Sequence, residues 1–340
     1  MTKAYPPYTI TSTALKLVAA ISEQLTTLSA TGALTAENLS PRLRRENRIR
    51  TIHASLAIEN NTLSLEQVTD VIDGKPVIGA PRDIQEVRGA VAAYERLDSW
   101  KSHSLKDMLA AHALLMHDLV DNPGKLRSGG VGVFKGQKVV HMAPPANLVH
   151  GHLENLLHWL KSTDEHPLIT SCVFHYEFEF IHPFDDGNGR MGRLWQTLIL
   201  SKWRPVLAYI PVETIVRNRQ AEYYASLGQA DAQGEATKFI EFMLQALHDI
   251  LEGISTDQVG VQVSDQVKRL LEVLGKDERT ATELMQALGL RHAPTFRKNY
   301  LLPALETGLI ERTQPDSPRS PTQKYRLTGL GKFRLDNGDR

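Results

Sequence analysis

The sequence predicts an all-α body carrying one short β-hairpin, followed by a smaller C-terminal α+β module. Apolar residues recur at helical spacing along most of the chain, as at Ile49, Ile52 and Leu56. One glycine-punctuated, β-branched run, residues 126–147, breaks that periodicity. Beyond Gly253 the pattern changes again, to three short helices and then strand, Pro/Ser-rich loop and strand.

The 340 residues suffice for about two domains at roughly 100–200 residues each. A hydrophobic content of 41% and a charged content of 23% are those of a soluble globular protein. The net charge of +0 gives no global field toward nucleic acid or an anionic membrane, so any basic surface is local. Residues 1–7 lack the apolar core of a signal peptide, and no later run reaches the roughly 20 apolar residues of a membrane span. The single cysteine, Cys172, excludes an internal disulfide and lies in an apolar run that marks it as core. A cytoplasmic protein with no membrane partner is the expectation.

In chain order, helices are predicted over 12–30 and 42–60, the second stopping at Asn60 and Asn61 because Asn tolerates the left-handed conformation that ends helices. Ser64 and Gln67 form a capping box for the next helix, which Gly74 stops. Helices at about 83–98 and 105–120 end at the Asp121–Gly124 turn. The run Val131–Phe134 and Gln137–Val140 reads as a hairpin closed by Pro144 and Pro145. Helices follow at 147–162, 166–181, from about Gly189, at 213–228 and at 235–252, with a linker over Gly253–Gly260. In the module, helices cover 262–274 and 281–288, Thr280 and Glu283 capping the second. A third starts near Pro294, and Pro303 ends or kinks it. Three helices and a β-hairpin make the winged-helix pattern.

The helix over 166–181 runs straight into His182-Pro-Phe-Asp-Asp-Gly-Asn-Gly-Arg-Met-Gly-Arg193. Gly187-Asn188-Gly189 sits where a loop enters a helix, and unpaired N–H groups and the helix dipole favour an anion there. Arg190 and Arg193 can both reach one polyphosphate with fork-like donors. Asp186 offers an oxygen ligand for Mg2+, and His182 is the natural general base. Phe184, between polar positions, would anchor the loop in the core. Zn2+ fits worse, with one His in the motif and one thiol in the chain, and His141, His150, His152 and His158 read as surface.

This segment resembles the Fic family signature His-x-Phe-x-Asp/Glu-Gly-Asn-Gly-Arg-x-x-Arg and matches every specified position. The resemblance covers roughly residues 45–250 and implies an all-α Fic core that transfers AMP from ATP to a Tyr, Ser or Thr hydroxyl of a protein, including itself, releasing pyrophosphate. By position, His182 would deprotonate the target and Asp186 would hold Mg2+. Gly187, Asn188, Gly189 and Arg190 would cradle the α- and β-phosphates, and Arg193 would meet the γ-phosphate. The hairpin within 129–147, around Val139, Val140, His141 and Met142, corresponds to the family's flap, whose edge would pair with a target segment. Tyr223 and Tyr224 match a Tyr-Tyr pair near the nucleotide, or else are core aromatics.

Ser55 to Asn60 resembles the family's inhibitory motif Ser/Thr-x-x-x-Glu-Gly/Asn, placed as in the class with an N-terminal inhibitory helix. A carboxylate in the last helical turn is disfavoured by roughly 0.3–1 kcal/mol, which Glu59 offsets if it pairs with Arg193; otherwise it is a solvated helix end. The organisation expected is an N-terminal helical region (1–85), a Fic core (86–255) and a winged helix (262–340). Arg291, Arg297, Lys298, Arg319, Lys324 and Arg326 give that module a basic face for DNA, or it serves protein contacts such as dimerisation. The rival activities are AMP removal or transfer of another nucleotide moiety, and nucleotide sensing by a DNA-binding regulator.

Overall fold

The computed structural model describes residues 6–30, 41–135, 138–260, 265–275, 277–306, 309–314, 320, 322–328, 331 and 335, and excludes the side chains of 30, 41–43, 132–141, 253–265 and 306. The chain divides into two compact units, one of Met1–Ile21 and Arg42–Ile250, the other of Ser22–Pro41 and Leu251–Arg340.

The first unit is helical. It holds the start of α1 (Ser12–Ala30), then α2 (Pro41–Ile58), α3 (Leu65–Ile72), α4 (Pro81–Glu95) and α5 (Leu105–Leu115). The strands β1 (Gly132–Lys135) and β2 (Lys138–Met142) form the antiparallel hairpin, with Val133 opposite His141 and a register shift before Phe134. There follow α6 (Ala146–Ser162), α7 (Pro167–Ile181), α8 (Asn188–Trp203), α9 (Val212–Asn218), α10 (Gln220–Gln233) and the first part of α11 (Thr237–Gly260).

The centre of the unit is the α7–α8 pair. Every α7 residue from Leu168 to Phe178 is buried, which a helix apolar on all sides requires. On α8, Met191, Leu194, Trp195 and Leu198 recur on one face and are fully buried. Trp195 stacks on Trp100 at 6.1 Å between ring centroids and donates through Nε1 to the Ser102 carbonyl at 2.7 Å. Cys172 is buried there, and burial pushes its thiol up to about 12, so it is inert packing.

Several expected boundaries differ. The helix expected over 105–120 stops at Leu115, and turns follow in which Asp118 takes a positive φ of 59°. The single helix expected over 213–228 is two, α9 and α10, broken at Arg219. The break lets Gln220 Nε2 donate to the Ile58 carbonyl at the end of α2, at 2.8 Å. The expected linker Gly253–Gly260 is helical, the last part of α11. Among the described residues no helix is long and apolar enough to cross a membrane.

The second unit contains α12 (Asp265–Leu274), β3 (Arg279–Thr280), α13 (Ala281–Ala287), α14 (Ala293–Phe296), a π-turn over Arg297–Leu301, α15 (Leu302–Glu306), β4 (Ile310–Arg312) and β5 (Lys324–Leu327). Val267, Leu270, Leu271 and Leu274 form the buried stripe of α12. The Thr280–Glu283 capping box forms, as does that of Ser64 and Gln67 in the first unit. Pro303 does not end its helix: it is the second residue of α15, just after the π-turn, an irregular stretch that tolerates a residue with no N–H to give. The antiparallel sheet runs β3-β5-β4, and β3 was not legible in its two-residue sequence.

Candidate active site

The site is built on the turn between α7 and α8. His182 caps α7 in the left-handed region, φ 49° and ψ 61°. That conformation costs a non-glycine residue about 1–2 kcal/mol, and the surroundings hold it. Its amide donates to Phe178 O at 2.9 Å, and its carbonyl accepts from Arg127 Nε at 2.7 Å. His182 Nδ1 lies 3.3 Å from the Glu179 carbonyl. A carbonyl only accepts, so Nδ1 carries the proton of the neutral ring and Nε2 is the basic nitrogen.

Phe184 is fully buried and stacks flat on His112, centroids 3.7 Å apart and planes 6° from parallel. His112 Nδ1 accepts from the Gly124 amide at 2.8 Å, so its Nε2 donates to the Asp186 carbonyl at 3.0 Å. Burial holds the His112 pKa below the ordinary value and keeps this neutral tautomer. The Asn188 side chain closes the turn, accepting from the Phe184 amide at 2.9 Å and donating to the Phe184 carbonyl at 2.8 Å. Any part Asn188 takes in anion binding therefore falls to its backbone at the start of α8.

Gly187, the N-cap of α8, has φ 85°, and a Cβ there would lie 2.6 Å from Met116 Sδ. Gly187→Ala is expected to lower stability by about 1–2 kcal/mol, read as a shift in the urea midpoint at unchanged slope.

Charge is concentrated at this helix start. Asp186 Oδ1 accepts from the Gly187 amide at 2.6 Å and from Arg190 Nη2 at 3.1 Å, and Oδ2 accepts from Arg82 Nη2 at 3.0 Å. One half-exposed carboxylate beside an anion seat fits Mg2+, which takes one or two carboxylates together with phosphates and water. Arg190 is buried, its Nη1 stands 3.2 Å from Glu86 Oε1, and its Nε and Nη1 have no hydrogen-bond partner among the described residues. A buried guanidinium with donors to spare suits an anion.

Arg193 is buried and bonded through Nε and Nη2 to the end of α2. Its Nη2 donates to Glu59 Oε1 at 2.7 Å and to the Ser55 carbonyl at 2.9 Å, and Nε donates to Ser55 Oγ at 3.0 Å. Burial alone would lower the Arg193 pKa, but the Glu59 carboxylate carries it above the ordinary value. The helix end that delivers Glu59 is a Schellman turn: Asn60, at φ 68°, donates to the Ala57 carbonyl and Asn61 to the Leu56 carbonyl. Glu59 Oε1 lies directly over Gly189, where a Cβ would run into it. Asn61 Nδ2 then donates to Glu86 Oε2 at 2.8 Å, so the same carboxylate that faces Arg190 also holds the α2 terminus.

Tyr223 belongs to the core. It is 1% exposed, and its hydroxyl pairs with His175 Nε2 at 3.1 Å, while His175 Nδ1 meets Gln196 Oε1 at 2.7 Å. Burial drives His175 down to about 3, so the ring is neutral and accepts from Tyr223. Tyr223→Phe is expected to destabilise by about 1–3 kcal/mol, read as a lower urea midpoint; an unchanged midpoint would mean that the buried hydroxyl adds nothing to stability. Tyr224 is half-exposed and packs edge-on against Tyr223.

Met142, at the end of β2, is 67% exposed, whereas the side chains of Val139, Val140 and His141 lie outside the described residues. In the second unit Arg291, Arg297 and Lys298 are exposed, and Arg319 lies outside the described residues. Arg326 is paired with Glu311 at 2.7 Å and with Glu278 at 3.2 Å. Sequence reasoning missed Arg82, Glu86, His112 and Arg127; the last was signalled only by its place between the Gly124 turn and the Gly129–Gly130 pair.

A model of the Fic/DOC family matches residues 102–200, and one of the C-terminal domain of "Filamentation induced by cAMP protein Fic-like" matches 265–328. A crystal structure of a Fic family protein from Desulfovibrio desulfuricans G20 is 62% identical, covers 95% of this chain and 98% of its own, and superposes with a TM-score of 0.71. Protein adenylyltransferase fic-1 of Caenorhabditis briggsae is 34% identical over 217 residues, 59% of this chain and 40% of that protein. A segment of Fic-1 from C. elegans, 24% identical over 72% of this chain and 75% of its own, shares the fold with a TM-score of 0.58. The chain thus spans about two fifths of the length of the curated relatives it matches.

Proposed function

The chain belongs to the Fic family, and from that premise we propose that it is a protein adenylyltransferase restrained by its own Glu59. The observation that carries this reading is the Glu59 carboxylate seated over Gly189 and bonded to Arg193. A carboxylate at a helix start, on a buried guanidinium, occupies the kind of place a phosphate oxygen would take.

In this reading His182 Nε2 takes the proton of a target hydroxyl. The hydroxyl oxygen bonds to the α-phosphorus of ATP as the bond to the β-phosphate oxygen breaks, and pyrophosphate leaves with its electron pair. Positioning and fixed charge supply most of the rate in such in-line transfers. The amides from Gly187 to Gly189 and the spare donors of Arg190 bind the inner phosphates, and Arg193 takes the γ-phosphate once Glu59 withdraws. Asp186 would hold Mg2+, whose charge offsets that of the phosphates. An extended target segment pairs with the edge of β2, a two-stranded sheet's natural docking edge. The second unit's helices and small sheet are compatible with a winged helix, and its paired Arg326 makes protein contact the better reading of it than DNA.

The test is label transfer from α-labelled ATP with Mg2+ to the chain itself or to lysate protein, in wild type and in Glu59→Gly. Label on protein in the variant supports the reading. No label, together with loss of AMP from pre-adenylylated protein, would replace it with AMP removal.

A further inference from the structure

We propose that Arg127 is a positioning residue that joins the β1–β2 hairpin to His182, so that the target dock and the general base move as one piece. The inference rests on the reading of His182 as base and of the hairpin as dock.

Arg127 is 3% exposed, and its guanidinium gives hydrogen bonds to four separate carbonyls. Nη1 donates to Gly129 at 2.8 Å and Nη2 to Pro144 at 2.6 Å, which are the two roots of the hairpin. Nε donates to His182 at 2.7 Å, and Nη2 also lies 3.3 Å from the Ile181 carbonyl. The Arg127 amide adds a bond to the Pro183 carbonyl at 3.0 Å, and the Ala143 amide closes the hairpin base on Val131 at 3.2 Å.

One planar fork thus holds the chain entering the hairpin, the chain leaving it, and the end of α7. Those carbonyls face a buried cation, so removing it leaves several acceptors without a donor in a place water reaches poorly. His182 needs this support, since its backbone sits at φ 49°. A lysine cannot reproduce it, because one ammonium offers three donors from a single point. The anion loop is held by other means, the Asn188–Phe184 pair and the His112–Asp186 bond. Arg127 should therefore govern where the hydroxyl and the base meet, and not how tightly ATP binds.

The experiment uses full-length Glu59→Gly carrying Arg127→Met or Arg127→Lys. Amide exchange of 132–142 and 182–184 should accelerate about 10-fold or more, and AMP transfer should fall about 100-fold. Affinity for a non-hydrolysable ATP analogue should stay within about twofold, with Arg127→Lys intermediate in exchange and rate. Unchanged exchange in the hairpin, or ATP affinity falling in step with the rate, would overturn the proposal. If Arg127→Met unfolds, Arg127→Lys supplies the same comparison. Should Glu59→Gly itself transfer no AMP, the adenylyltransferase reading fails, while the exchange data still decide whether Arg127 ties the hairpin to the turn.

Discussion

Glu59→Gly is expected to transfer AMP about 10- to 100-fold faster than the wild-type chain. A hydrogen bond to a charged group is worth about 1.5–3 kcal/mol, and each 1.4 kcal/mol is about a factor of ten. Removing the Glu59 carboxylate frees Arg193 Nη2 of its 2.7 Å bond and clears the space over Gly189. The gain should fall in the lower half of that range, because Glu59 is 32% exposed and water already screens the pair. The helix end should survive the change, since Asn60 and not Glu59 occupies the left-handed position of the Schellman turn. The Ser55 carbonyl also stays on Arg193, so the relief is incomplete. Initial rates with α-labelled ATP measure the effect, and ATP should raise the melting temperature of the variant more than that of wild type. Equal rates in the two proteins would remove Glu59 from any inhibitory role.

His182→Asn, introduced into Glu59→Gly, is expected to lower transfer by about 10²–10⁴-fold, the usual contribution of a positioned general base. Asparagine is the informative substitution because, like histidine, it is enriched in the left-handed region that His182 adopts, whereas alanine is not. His182→Asn should therefore keep its thermal midpoint and its ATP affinity while losing the reaction; His182→Ala should lose stability as well. Retained transfer in the asparagine variant would mean that the proton leaves by another route.

Much of this was legible because the chemistry is written in one contiguous segment. The 182–193 run places the proposed base, carboxylate and arginines in one stretch, and the hydrophobic runs on either side name the two helices that carry it. The Glu59–Arg193 contact was expected from the resemblance of Ser55–Asn60 to a second short motif, and the poor fit of a carboxylate in the last helical turn gave that expectation physical support. What was not legible is what tertiary packing decides. His112 reads as one more residue of an apolar helix until Phe184 stacks on it and Asp186 accepts from it. Glu86 and Arg82 lie on the outward-reading face of α4 and become part of the site only because α4 packs beside the anion loop. Tyr223 and Tyr224 are neighbours in sequence with opposite fates, one sealed against His175 and the other half in water, and a helix turn of about 100° per residue separates them. The break at Arg219 carries neither glycine nor proline, so local propensity gave no sign of it.

The shared ownership of Arg193 has a thermodynamic consequence. Glu59 and any anion that takes the same guanidinium compete for it, and such linkage is reciprocal. Each tenfold by which the docked helix end weakens the anion is a tenfold by which the anion loosens the helix end. If Glu59 restrains the site as proposed, the segment from Ser55 to Asn61 would be a gauge of anion concentration as well as a plug, with a set point fixed by the ratio of two affinities. Its susceptibility to proteolysis would rise along the anion's own binding isotherm.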